Sequence, residues 1–142
     1  MGLQLLAFPP TRLLASIASA LLISWVLSEG LIALLPWLVH GFERLGPGLS
    51  SAAPMVIAWQ LLTWSLAAFA AAALAASLAE LRLAGWIAGG LWLVPALIIA
   101  GLVGLDGGLK ATIILLLLVA SLAGAGLALR IDASNGQALT QR

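Results

Sequence analysis

The chain of 142 residues contains no cysteine. That excludes disulfides, thiolate metal sites and thiol nucleophiles. Tyrosine is also absent, and there is one histidine, His40. Charge is scarce, at 8% of residues, against about 25% in soluble domains. Lys and Arg number 6 and Asp and Glu number 5, so the net charge is near zero. Six scattered cations cannot form the basic face that nucleic-acid binding needs. No Gly-rich phosphate loop, HExxH or GxSxG motif occurs. Ser24 and Ser28 stand one helical turn apart, but no imidazole lies at their depth to activate either hydroxyl. This inventory predicts a protein that is not an enzyme.

Apolar residues are abundant instead, at 63% of the chain, against about 45–50% in soluble domains. A transmembrane helix needs about 20 apolar residues to cross a hydrocarbon core of about 30 Å. Four such helices with short loops use nearly the whole length, which leaves no room for an aqueous domain. The expectation is therefore an all-α integral membrane protein of one domain, residues 1–142. It has four transmembrane helices in one bundle and a short amphipathic surface helix between the first two.

Local signals place the spans. Pro9 and Pro10 stop any earlier helix, and Thr11 is a suitable N-cap, so a first span is expected over about residues 13–34. Its apolar run exceeds that of a signal peptide, which favours a membrane span. Segment 36–45 has a different pattern. Leu35, Leu38, Phe42 and Leu45 fall on one helical side, with His40, Glu43 and Arg44 on the other. That pattern suits a helix lying in the membrane surface, with Trp37 in the interfacial belt. Gly46, Pro47 and Gly48 end it. Further spans are expected over about 53–79, 83–105 and 109–129, followed by a polar, frayed tail over 130–142. The short turn Glu80–Arg82 makes the second and third spans antiparallel neighbours. Pro95 removes a backbone donor, frees the Leu91 carbonyl and bends the third span.

Lys and Arg near span ends indicate orientation. One side carries Arg12, Arg82, Arg130 and Arg142, and the other carries Arg44 and Lys110. Both termini are therefore expected in the cytoplasm. The excess of Arg over Lys and the dominance of Ala, Gly and Leu suit a GC-rich bacterial genome, and hence the bacterial inner membrane.

Lipid is as apolar as leucine, so close approach of small residues must hold the helices together. Gly85 and Gly89 form a GxxxG pair. Ala120, Gly124 and Ala128 form a ridge on the fourth span, and Ala67, Ala71, Ala75 and Ala79 form one on the second.

Glu29 is the one ionisable residue well inside an expected span, where an unpaired carboxyl costs at least a few kcal/mol. By helical rise it lies roughly 8 Å below the outer surface, and Gln60 lies roughly 10 Å deep on the neighbouring span. A Glu29–Gln60 hydrogen bond stapling two helices is expected, with Thr63 nearby. A proton- or cation-carrying role for Glu29 is the alternative. Trp25, Trp64 and Trp92 lie near the midplane, at roughly 12, 15 and 18 Å from the outer surface. They either pack against the Ala-rich helices or line a cleft for a lipid tail, quinone or pigment. His40 alone could ligate the metal of a partner's haem or chlorophyll, but on a polar helix face it reads as solvated, and no metal site is expected.

A four-span chain with a Glu in its first span superficially resembles the small multidrug-resistance transporters. Here Glu29 sits in Leu27-Ser28-Glu29-Gly30-Leu31, far from the N-terminus. The aromatic and Lys-containing motifs of that family are absent, so its mechanism is not carried over.

The first functional expectation is a non-catalytic accessory subunit of a larger respiratory, photosynthetic or transport assembly. Its partners would be membrane lipids and other membrane subunits, not nucleic acid. Two alternatives stand beside it: a small homo-oligomeric proton-coupled transporter or channel using Glu29, and a lipid-, quinone- or pigment-binding scaffold. No intrinsic cofactor is expected, although a lipid, quinone or pigment could be held at a partner interface.

Overall fold

The computed structural model describes residues 10–37, 40 and 52–140. Among the described residues, five helices carry the fold: α1 (Pro10–Ala33), α2 (Ala52–Ala79), α3 (Arg82–Leu91), α4 (Leu93–Leu102) and α5 (Gly107–Thr140). No strand occurs among the described residues. Four stretches are long and apolar enough to cross a membrane: Pro10–Trp37, Val56–Ala79, Arg82–Leu102 and Gly107–Ala128. The protein is an all-α bundle with four membrane-spanning segments. The expected surface helix over 36–45 falls largely outside the described residues, Glu43 and Arg44 included. Trp37 is helical and highly exposed, and His40 is helical and exposed.

The second span is the axis of the bundle. α2 packs against α1, α3 and α5. Its alanines explain how one helix touches three neighbours, since a methyl side chain lets backbones approach from every side. Ala67, Ala68, Ala71, Ala72, Ala75, Ala76 and Ala79 are all buried. Within the spanning windows, 44% of the second span is buried and only 22% of the first. α1 is therefore the peripheral helix.

Glycine completes the close approach between α2, α3 and α5. A Cβ added at Gly85 would lie 2.6 Å from the Ala72 carbonyl oxygen and 2.8 Å from Ala125 Cβ. One added at Gly89 would collide with the Ser121 hydroxyl and come within 3.1 Å of Ala72 Cβ. One added at Gly124 would collide with the Phe69 carbonyl oxygen and come within 3.2 Å of Ala72 Cβ. Ala72 is thus wedged among three glycines from two other helices. On α5, Ala128 is buried with Ala72 and Ala76, and Ala120 is half-buried against the larger core around Ala67 and Ala71.

The third span is broken. The ladder tightens at Trp92, whose N–H donates to the Gly89 carbonyl at 3.2 Å, and α4 begins at Leu93. Pro95 supplies the cause, since it cannot donate to the Leu91 carbonyl. After the break, α4 packs on α3 and α5 and withdraws from α1 and α2. The α5 helix has a side-chain N-cap, the Leu109 N–H donating to Asp106 Oδ1 at 2.7 Å. It continues to Thr140, beyond the end expected near Leu129. No proline interrupts 130–140, and a lone helical glycine such as Gly136 costs only about 1 kcal/mol. Arg12 and Glu80 stand 3.6 Å apart as an exposed ion pair, which puts the start of α1 beside the end of α2.

Candidate functional site

The break in the third span opens a cleft between α1, α2 and α4. A cavity of about 280 Å³ occupies it. Its walls are Ile32 from α1, Val56, Ile57, Gln60, Leu61 and Trp64 from α2, Ile99 and Ala100 from α4, Val103 and Leu105 from the turn after it, and Ile113 from α5. Gln60 is the one side chain there with an amide. A smaller cavity of about 70 Å³ adjoins it, sharing Ile32, Gln60, Trp64 and Ile99 and adding Trp25, Ser28, Glu29, Trp92 and Pro95. The three midplane tryptophans therefore border one cleft.

The tryptophans do different work. Trp92 is buried, and its indole N–H donates to Ser24 Oγ at 2.9 Å. Ser24 is buried on α1, and its own hydroxyl donates to the Leu21 carbonyl at 3.0 Å. The bond therefore joins spans one and three at their middles. Trp25 stacks on Trp92, with ring centroids 6.0 Å apart and planes inclined by 26°. Trp25 itself is 54% exposed, so its outer face is presented to the surroundings of the bundle. Trp64 is only 5% exposed and borders both cavities. Trp59 donates to the Leu31 carbonyl at 2.9 Å and ties the end of α1 to α2. The need of a buried indole N–H for an acceptor was the signal that could have paired Trp92 with Ser24.

Glu29 and Gln60 border the same small cavity, with no hydrogen bond between them. Among the described residues Glu29 has no hydrogen bond or ion pair, and its side chain is exposed. Helix geometry explains this position. The inward face of α1 carries Ser16, Ile17, Ala20, Ser24 and Ser28. Glu29 follows Ser28, so it is turned by about 100° out of that face. Thr63 is buried, and its hydroxyl has no partner among the described residues. The structure thus puts Glu29, Gln60 and the midplane tryptophans around one cleft, while Gly85, Gly89 and Gly124 lie elsewhere, in the α2–α3–α5 seam.

No group of three or more His, Asp and Glu suited to a metal occurs among the described residues. No protein-family model matches the chain, and neither a curated protein nor a solved structure matches it.

Proposed function

We propose that the protein is a non-catalytic subunit of a larger complex in the bacterial inner membrane, with both termini in the cytoplasm, and that it meets its partner through the outer face of α1. Glu29 carries this reading. A carboxyl inside a span is costly when it faces lipid, and such residues normally face protein or a water-filled cavity. Glu29 is exposed at the rim of the small cavity, at the edge of the outer face of α1, and has no partner in its own chain among the described residues. Leu22 and Val26 stand with it at helical spacing, and both are strongly exposed. A second membrane protein with a hydrogen-bond donor at that depth would satisfy the carboxyl and cover the stripe. The low burial of the first span supports the same face.

The test is the native mass of the protein extracted from its membrane in mild detergent, with its companions identified. A stoichiometric larger assembly is expected, weakened by Glu29→Leu. A free small homo-oligomer would overturn the reading and favour a proton-coupled transporter. In that case Glu29→Gln should abolish coupled transport.

A further inference from the structure

The cleft carries an inference that does not depend on the partner reading. It lies beside α1, but its donors belong to α2. Trp64 is buried and borders both cavities, and no acceptor for its indole N–H occurs among the described residues. Gln60 borders both cavities as well, and its amide has no hydrogen-bond partner among the described residues. These two polar groups lie one turn apart on the same face of α2, above a half-buried and otherwise apolar wall. Neither donor is sealed off, since Thr63 Oγ1 is the one fully buried side-chain polar atom without a partner among the described residues. Within hydrocarbon an unpaired donor is still costly, so the arrangement favours an acceptor inside the cleft.

Depth narrows the acceptor. By helical rise, Gln60 lies roughly 10 Å and Trp64 roughly 15 Å from the outer surface. Glycerol-ester carbonyls sit at the hydrocarbon boundary, above both groups. Volume narrows it further. An apolar cavity of about 150 Å³ accepts benzene, and this one measures about 280 Å³, enough for a substituted ring. Its walls beyond the donors are aliphatic, with Val56, Val103 and Leu105 towards the outer end of the spans. Val103 is strongly exposed, so an apolar tail could leave the cleft directly into the bilayer.

We infer that the cleft between α1, α2 and α4 binds a quinone-class molecule, a planar carbonyl-bearing ring on an apolar tail, whose carbonyl accepts from Gln60 and Trp64. The inference concerns binding alone, and no electron transfer is assigned to the chain.

The experiment uses the full protein in nanodiscs of a diether phospholipid, which contains no carbonyl groups. Decylubiquinone is titrated in, and quenching of tryptophan fluorescence is followed. In a second arm a brominated diester phospholipid replaces the quinone. Saturable quenching by the quinone at one molecule per chain is expected, whereas the diester lipid should quench only without saturation, through the exposed Trp25 and Trp86. Gln60→Leu removes one donor and should weaken binding by roughly fivefold, the loss of one hydrogen bond. Trp64→Phe keeps the ring and removes the N–H, and should have a similar effect. Ala100→Leu puts a larger side chain on the cavity wall and should abolish saturation, even if the α2 variants fold poorly. The inference is overturned if the quinone fails to saturate, if the diester lipid binds in its place, or if all three variants bind as the natural chain does.

Discussion

Gly85→Ala tests the packing account at one atom. The added Cβ would stand 2.6 Å from the Ala72 carbonyl oxygen, 2.8 Å from Ala125 Cβ and 3.0 Å from Ala76 Cβ. Ordinary contact begins at 3.4 Å, so α3 must retreat from α2 by about 0.8 Å. The obstacle is backbone, which no rotamer change can relieve. Overpacking of this kind costs about 1–3 kcal/mol. Replacing a helical glycine by alanine returns about 0.5–1 kcal/mol of backbone entropy. The net expectation is a loss of up to about 2.5 kcal/mol. Gly90→Ala is the matched control on the same helix, because nothing lies within 4 Å of its added Cβ. It should gain the entropic part alone, about 0.5–1 kcal/mol. The assay is equilibrium unfolding by dodecyl sulfate in mixed micelles, followed by far-UV circular dichroism. Equal stability of the two variants, or a gain at Gly85, would refute the reasoning.

Other substitutions test the remaining contacts. Trp92→Phe keeps a ring against Trp25 but removes the donor to Ser24, and should cost about 0.5–1.5 kcal/mol in the same unfolding assay. Asp106→Ala removes the cap of α5 and should cost about 0.5–2 kcal/mol, whereas Asp106→Asn should be nearly neutral in melts of the two variants. Glu80 holds a positive φ of 56° at the end of α2. Glu80→Gly should therefore stabilise the protein by up to about 1 kcal/mol despite losing the exposed pair with Arg12, measured by thermal unfolding. Gly89→Ala should destabilise, and adding Ser121→Gly should recover part of the loss, because the added methyl meets the Ser121 side chain.

Particular residues show how far the sequence could be read. Span number and approximate limits followed from apolar length, and the break near Pro95 followed from a missing donor. The small residues Gly85, Gly89 and Gly124 could be picked out by spacing, but not the fact that all three converge on Ala72. That convergence depends on how α3 and α5 are rotated about α2, and a span apolar on every side carries little rotational information. Glu29 and Gln60 illustrate the same limit. Helical rise placed them at similar depth, and the structure puts both beside one cavity without the expected hydrogen bond, because depth says nothing about direction around the helix. The Ser16, Ala20, Ser24 and Ser28 positions define the inward face of α1 and would have turned Glu29 away from it. The cleft itself depends on where α4 goes after Trp92, which no local signal encodes.

Site-specific photocrosslinking in the native membrane tests the central claim most directly. A crosslinking residue is placed at Leu22, Ile23 or Val26 on α1, and for comparison at Leu115, Val119 or Leu122, which are also exposed but lie on α5. The account predicts one discrete crosslinked partner from the α1 positions and none from the α5 positions. Lipid-only labelling at all six positions would contradict it, as would the same partner captured equally from both faces.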